Sequence, residues 1–107
     1  MKIVFLKDAE TDLHDLRIYF IQQFSSEAWR THSRKLKQAI LELAEFPQIG
    51  NVPDEIAHLG LTHYRQLITG QTRVIYDEIQ PDVIVIHIVC YTRRNLRTLL
   101  THRLLRA

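Results

Sequence analysis

The stretch YRQLITGQTRVIYDEIQPDVIVIHIVCY, residues 64–91, decides the fold of this chain. Residues that are β-branched or aromatic, and therefore typical of β-strands, are concentrated in three segments of it. These segments are 64–69, 73–79 and 83–91. Only Gly70-Gln71-Thr72 and Gln80-Pro81-Asp82 separate them, and connections this short join neighbouring antiparallel strands. The stretch therefore predicts an antiparallel meander of three strands.

Two amphipathic helices are expected on the N-terminal side of this meander, because apolar residues recur there at helical spacing. The first stripe is Ala9, Leu13, Leu16, Phe20 and Phe24, and the second is Trp29, Leu36, Ile40 and Leu43. Ser25-Ser26 supplies a break and a new N-cap between them, and Pro47 and Gly50 end the second helix. This pattern predicts a helical hairpin.

Two further elements complete the order. Residues 2–6 form a short apolar run, which predicts a first strand that leads into a helix capped near Asp8. The last segment, 95–105, has helical spacing of Leu96, Leu99, Leu100 and Leu104, whereas 51–60 shows no pattern and is expected to be a loop. The predicted order is β-α-α-β-β-β-α. It defines a single α+β domain over 1–107, in which the hairpin and the sheet bury each other's apolar faces.

The composition restricts the class of protein. A chain of 107 residues, 46% hydrophobic and 24% charged, is an ordinary globular domain with one modest core. The longest uncharged apolar stretch, 83–90, is much shorter than the roughly 20 residues that cross a bilayer. The N-terminus reaches a charge too early for a signal peptide, and lone Cys90 has no disulfide partner. We therefore expect a cytoplasmic protein that does not enter a membrane.

Charge is distributed unevenly along the chain. All 12 acidic residues lie at or before Asp82. Residues 83–107 contain no acid and five arginines, which are Arg93, Arg94, Arg97, Arg103 and Arg106. A basic surface of this kind attracts RNA, DNA or an acidic protein, and the alternative is a solvated arginine-rich helix.

The order of these elements, together with several local sequences, resembles the RelE/ParE toxin superfamily from Phe5 to about Leu99. The matching sequences are AETDLHDLRIY at 9–19, LAEFPQIG at 43–50, GLTHYR at 60–65, RVIY at 73–76, VIVIHIV at 83–89 and RRNL at 93–96. The resemblance implies the toxin of a type II toxin-antitoxin system, a cytoplasmic growth inhibitor held inactive by a cognate acidic antitoxin.

The same resemblance implies one of two activities. RelE-like members cut messenger RNA on the ribosome without a metal, using basic residues and often a C-terminal tyrosine. The positions here that match the basic residues are Arg65, Arg73 and Arg93. ParE-like members lack that set and poison DNA gyrase. Gln66-Leu67 stands where the RelE set has a second lysine, and 98–100 contains no tyrosine, so a ParE-like toxin is favoured. Whether the protein is an enzyme depends on this choice, and a non-toxic relative that only binds its antitoxin is the third alternative.

We expect two binding surfaces. The target surface is predicted to comprise Tyr91, Arg93, Arg94, Arg97 and His63. The antitoxin is expected to lay an amphipathic helix on the helical hairpin, or to add a strand to a sheet edge. The apolar residues predicted to contact it are Leu13, Leu16, Phe20, Trp29 and Leu36.

Each of the remaining polar residues could have a catalytic or a structural role. Strand alternation could place His63 and Arg65 on one basic face with Arg73, although a solvated sheet face explains them as well. His87 lies inside an apolar strand, which favours a histidine hydrogen-bonded to backbone over a catalytic one. Asp12 and Asp15 are best explained as the solvated face of a helix. The histidines lack the spacing of a zinc site and no phosphate-binding loop is present, so neither a metal nor a cofactor is expected.

Overall fold

A computed structural model describes residues 2–105, with side chains as far as Arg103, so that Arg106 and the side chain of Leu104 lie outside the described residues. The elements are β1 (Lys2–Phe5), α1 (Lys7–Gln23), α2 (Ser26–Glu42), α3 (Asp54–Ala57), β2 (Arg65–Thr69), β3 (Thr72–Gln80), β4 (Val83–Tyr91) and α4 (Leu96–Leu105). The predicted α+β order β-α-α-β-β-β-α is confirmed, with α3 added to it.

The four strands form one mixed sheet in the order β1-β4-β3-β2. The meander of β2, β3 and β4 is antiparallel, as predicted. The predicted meander does not include β1, which joins the edge of the sheet parallel to β4, from Lys2 beside Val83 to Phe5 beside Ile86, so the whole sheet is mixed and not antiparallel. Parallel strands need a long connection, and the helical hairpin provides the first part of it.

The helical hairpin covers one face of the sheet. Ser25 caps α2 as predicted, since its hydroxyl accepts a hydrogen bond from the Ala28 N–H at 3.0 Å. The first helix begins at Lys7 after Leu6, without the side-chain cap expected near Asp8. The buried apolar residues between hairpin and sheet are Ala9, Leu16, Leu36, Ile40, Leu43, Val74, Tyr76, Ile84, Ile86 and Val89. We call this side the hairpin face.

The opposite side of the sheet, which we call the α4 face, has its own core. It consists of Ile56, Tyr64, Ile75, Ile88, Cys90, Leu96 and Leu100. The segment 51–60, expected to be a loop, contains α3 because the side chain of Ile56 is fully buried in this core. His87 is the extra residue of a β-bulge, since Ile75 pairs with Ile88 whereas Tyr76 pairs with Ile86.

The first strand stops short of the end of its neighbour. It pairs with β4 only as far as Ile86, so the last five residues of β4, 87–91, have no strand beside them on that edge. No helix within residues 2–105 is long and apolar enough to cross a membrane.

Candidate functional site

A cleft of about 640 Å³ lies where α1, the end of β4 and α4 come together. Tyr19 of α1 and Phe24, which follows the end of α1, form its apolar wall, and these residues are 47% and 59% exposed. Arg93 and Arg94, in the turn after β4, form its basic wall. The cleft therefore combines exposed aromatic surface with positive charge.

The turn that carries the two arginines is held by backbone hydrogen bonds. The Thr92 N–H donates to the Gln71 carbonyl at 2.9 Å, and the Arg94 N–H donates to the Tyr91 carbonyl at 3.0 Å. Asn95 then caps α4, because its side-chain oxygen accepts from the Thr98 N–H at 3.0 Å. Both arginines are exposed, and neither guanidinium forms a hydrogen bond or ion pair with any described residue. They are free to bind a partner.

Tyr91 lies beside these arginines and is only partly exposed. Its ring contacts that of Tyr19 edge to face, with 4.7 Å between the ring centroids. Burial, with a smaller effect of Tyr19, raises the pKa of Tyr91 above its ordinary value. Its hydroxyl is buried and has no hydrogen-bond partner among the described residues. A buried hydroxyl without a partner costs free energy.

Asp12 and Arg103 close the floor of the cleft. The Asp12 carboxylate accepts one hydrogen bond from the Val89 N–H at 3.0 Å and another from the Arg103 guanidinium. Arg103 also donates to the carbonyl of His87 at 2.9 Å. The expectation that Asp12 lies on a solvated helix face is therefore wrong, and Arg103 does not belong to the free basic surface. Asp15, one helical turn further along, is exposed at the rim.

Arg73 is only 5% exposed and lies on the α4 face. Its guanidinium donates to both carboxylate oxygens of Glu55, at 2.8 and 3.0 Å, and to the side-chain oxygen of Gln66, at 2.7 and 3.1 Å. The Arg73 hydrogen bond lowers the pKa of Glu55, against an opposing effect of burial. This arginine is therefore a structural cation.

Arg65 lies on the other side of the sheet. It pairs with Tyr76, a residue of the hairpin face, and donates to the Gly50 carbonyl and the Gln48 side chain, both at 2.7 Å. Because cross-strand neighbours share a face, the predicted basic face of His63, Arg65 and Arg73 does not exist. Arg65 holds the loop around Gly50, and Arg73 holds α3 on the opposite side of the sheet.

The other predicted polar residues lie outside the cleft. His63 is exposed and contacts the ring of Tyr64, with 4.1 Å between the ring centroids. The Arg97 guanidinium is hydrogen-bonded to His58 Nε2. The His87 ring bonds to the Asp77 carboxylate at 2.9 Å, rather than to backbone as expected. Of the predicted target surface, the structure brings together only Tyr91, Arg93 and Arg94.

The residues predicted to contact the antitoxin face inward. Leu16 and Leu36 are 4% and 2% exposed and belong to the core of the hairpin face. Leu13 and Trp29 are partly buried against the same core, and the partly buried ring of Phe20 stacks on His32, with 4.8 Å between the ring centroids. The helical stripes are therefore apolar faces as predicted, but the sheet already covers them, except at Phe24.

Sequence reasoning missed three residues of the site. Asp12 and Tyr19 lie on α1 and Phe24 directly follows it, far in sequence from the turn that they face. The spacing of Asp12, Asp15 and Tyr19 does place them on one helix face, but only the tertiary fold shows that this face meets β4.

The site carries few groups suited to covalent chemistry. Cys90 is buried, and burial raises the pKa of its thiol to about 11, so the reactive thiolate is scarce at neutral pH. Within residues 2–105, no group of three or more His, Cys, Asp or Glu side chains is arranged to hold a metal ion.

A match to a family model identifies the class of this protein as the toxins of type II toxin-antitoxin systems. Residues 3–96 match the family model described as "ParE toxin of type II toxin-antitoxin system, parDE", and the chain belongs to this family. Among solved structures it is similar to a chain of "Chromosomal ParDE TA system from P. aeruginosa", with a TM-score of 0.62 and 11% identity. That alignment covers 85% of this chain and 95% of the other, and at this identity it supports the fold alone. No curated protein matches the sequence.

Proposed function

We propose that this protein is a cytoplasmic growth inhibitor that binds DNA gyrase through the Arg93–Arg94 turn and is neutralised by a cognate antitoxin. The family membership supports the toxin and its antitoxin. The observation that favours gyrase over messenger RNA is the burial of Arg73 in its bidentate pair with Glu55. A catalytic arginine must reach the scissile phosphate, and this one is neutralised inside the fold.

The chemistry of RNA cleavage supports the same choice. Metal-free cleavage needs a base for the 2'-hydroxyl, a cation for the transition state and an acid for the leaving oxygen. Arg65 and Arg73 point to opposite faces of the sheet, and each is occupied by structural hydrogen bonds. His63 is exposed, and it does not line the cleft that carries Arg93. These residues do not form a general acid–base site around one phosphate.

The test is an Arg93→Ala/Arg94→Ala double variant, assayed with purified gyrase. Wild-type toxin should inhibit supercoiling or trap cleaved DNA, and the double variant should lose this effect. Its free energy of unfolding should change by no more than about 0.5 kcal/mol, because both residues are exposed and unpaired. Arg30→Ala/Arg34→Ala removes two exposed charges of α2 and is the matched control, which should inhibit like wild type.

Three results would contradict the proposal. Excess wild-type toxin without effect on gyrase would reject the target. Ribosome-dependent cuts in messenger RNA soon after induction would instead identify a RelE-like ribonuclease. Normal growth on strong induction without antitoxin would identify a non-toxic relative.

A further inference from the structure

We infer that His32 is a positioning residue for the Arg93–Arg94 turn: its hydrogen bond to Thr72 holds the β2–β3 turn, to which the arginine turn is attached. His32 lies on α2 and does not line the cleft. The inference rests on the proposed function, in which the Arg93–Arg94 turn binds gyrase.

The contact between His32 and β3 provides the first argument. His32 Nε2 is hydrogen-bonded to the Thr72 hydroxyl at 2.8 Å, and Thr72 is fully buried. Thr72 begins β3, where it pairs with Thr69 of β2 and with Tyr91 of β4. Because a buried hydroxyl that loses its partner costs free energy, this hydrogen bond holds the start of β3 against α2.

The turn between β2 and β3 connects this contact to the arginines. It consists of Gly70 and Gln71, directly before Thr72. The Gln71 carbonyl accepts a hydrogen bond from the Thr92 N–H at 2.9 Å, and Thr92 directly precedes Arg93. A shift of Thr72 therefore moves the acceptor that holds the arginine turn.

The ring of His32 is itself held in place. It stacks on the ring of Phe20, with 4.8 Å between the ring centroids and 7° between the ring planes. A Cβ added at Gly70 would lie 3.5 Å from His32 Cε1, so the ring also lies close to the β2–β3 turn. A ring confined by these contacts has little rotamer freedom left to lose, so its hydrogen bond to Thr72 costs little further entropy.

Three substitutions separate the hydrogen bond from the ring. His32→Phe keeps a ring that can stack on Phe20 but removes the partner of the Thr72 hydroxyl. His32→Gln keeps a polar group near the position of Nε2. Thr72→Val removes the same hydrogen bond from the other side and stays β-branched, as a strand favours.

The first measurement is the toxin concentration that half-inhibits gyrase supercoiling, with each full-length variant assayed below its melting temperature. His32→Phe and Thr72→Val should each raise this concentration by roughly three- to tenfold, the worth of one hydrogen bond. His32→Gln should restore it to within about twofold of wild type. His14→Ala removes an exposed histidine of α1 and is the matched control, which should inhibit like wild type.

The double variant His32→Phe/Thr72→Val separates positioning from stability. It leaves no polar group of this pair buried alone, so it should unfold more like wild type than either single variant does. Its inhibition should remain as weak as that of the single variants, because the hydrogen bond is still absent. If inhibition recovers together with stability, His32 acts on stability alone and the inference is wrong.

Hydrogen exchange follows the arginine turn without gyrase. In His32→Phe, the Thr92 amide should exchange several-fold faster relative to the amide of Ile56, which donates to the Pro53 carbonyl on the α4 face. An unchanged ratio of the two rates would also overturn the inference, since Thr72 would then not hold the turn.

Failure of the inference is distinguishable from failure of the proposed function. If wild-type toxin inhibits gyrase and every His32 variant does so equally, the inference is wrong and the proposed function stands. If wild-type toxin leaves gyrase unaffected, the proposed function is wrong, and the exchange ratio alone decides whether His32 holds the turn.

Discussion

The two faces of the sheet are closed in different ways. The hairpin face is covered by two long helices whose apolar residues interlock with β3 and β4. The α4 face is covered by two shorter helices, and polar pairs lie at the margin of its apolar core: Arg73 with Glu55, His87 with Asp77 and Arg97 with His58. The difference shows why residue type alone is a poor guide to the site. Arg73 and His87 are of types that often act in catalysis, but on the α4 face they form structural pairs. Arg93 and Arg94 have no such pair among the described residues.

The hairpin face should be the less tolerant of added volume, and Gly50→Ala tests this. A Cβ there would lie 2.4 Å from the Gln66 carbonyl oxygen and 2.5 Å from the Tyr76 hydroxyl. That hydroxyl accepts from the Gly50 N–H at 2.9 Å, so the clash also breaks a buried hydrogen bond. Urea unfolding should show a loss of about 3 kcal/mol or more.

Gly60→Ala is its control. Gly60 has φ +79° but no atom within 4 Å of an added Cβ, so it tests backbone strain without a clash. It should cost about 1 kcal/mol. Equal losses for the two variants would show that close packing around Gly50 is not what closes the hairpin face.

The contact of α1 with β4 and α4 depends on Asp12. Replacing it by alanine removes the acceptor of the Val89 N–H and leaves Arg103 with the His87 carbonyl, which should cost about 2 kcal/mol in thermal unfolding. Asp12→Asn keeps an oxygen for Val89 and should lose less. If both variants melt like wild type, α4 is not held to α1 by this carboxylate.

On the α4 face, Glu55→Ala should cost about 1 kcal/mol, since it removes a partner of buried Arg73 while Gln66 remains. The effect is moderated because the Glu55 side chain is 40% exposed. The pKa of Glu55 is lowered from its ordinary 4.5, so its contribution is present above pH 4.5 and is lost as pH falls through the folded pKa. Unfolding curves of wild type and variant should therefore converge in acid, and a constant difference would contradict this.

The smallest effect is expected from His32, on the hairpin face. Its Nε2 is hydrogen-bonded to the Thr72 hydroxyl at 2.8 Å. Burial, and then the charge of Lys35, lowers the pKa of His32 below 6.5. The unfolded chain binds this proton more readily, so stability falls as pH drops below 6.5 and levels off below the folded pKa. His32→Gln should remove this slope, and a slope retained in the variant would assign it to another group.

The fold was largely predictable because the hydrophobic periods of the chain are strong. Strand alternation and helical stripes gave the order of seven elements, and Ser25 gave the correct cap. The parallel pairing of β1 was not predictable, since Lys2 and Val83 carry no local signal for each other. The short helix around Ile56 was missed for the same reason.

The site was predictable in part. Arg93, Arg94 and Tyr91 are adjacent in sequence, so the turn after β4 brings them together. The burial of Arg73 depends on Glu55, a residue in a segment without a recognisable pattern. Leu16 and Leu36 were assigned to a partner because a stripe shows that a helix face is apolar, but not what covers it.

The contacts that form the cleft floor join residues far apart in the chain, and this distance determines when during synthesis the floor can form. Asp12 and Arg103 are 91 positions apart in the chain, and Asp12 and Val89 are 77 apart. A ribosome adding about 5–20 residues per second needs roughly 5 to 20 s to synthesise the chain between Asp12 and Arg103. β1 can pair once residues 83–86 have been made and Asp12 can bind Val89 soon afterwards, but the ion pair with Arg103 comes last. Contacts this distant in sequence form slowly. The floor of the cleft therefore cannot close until the chain has been synthesised as far as Arg103.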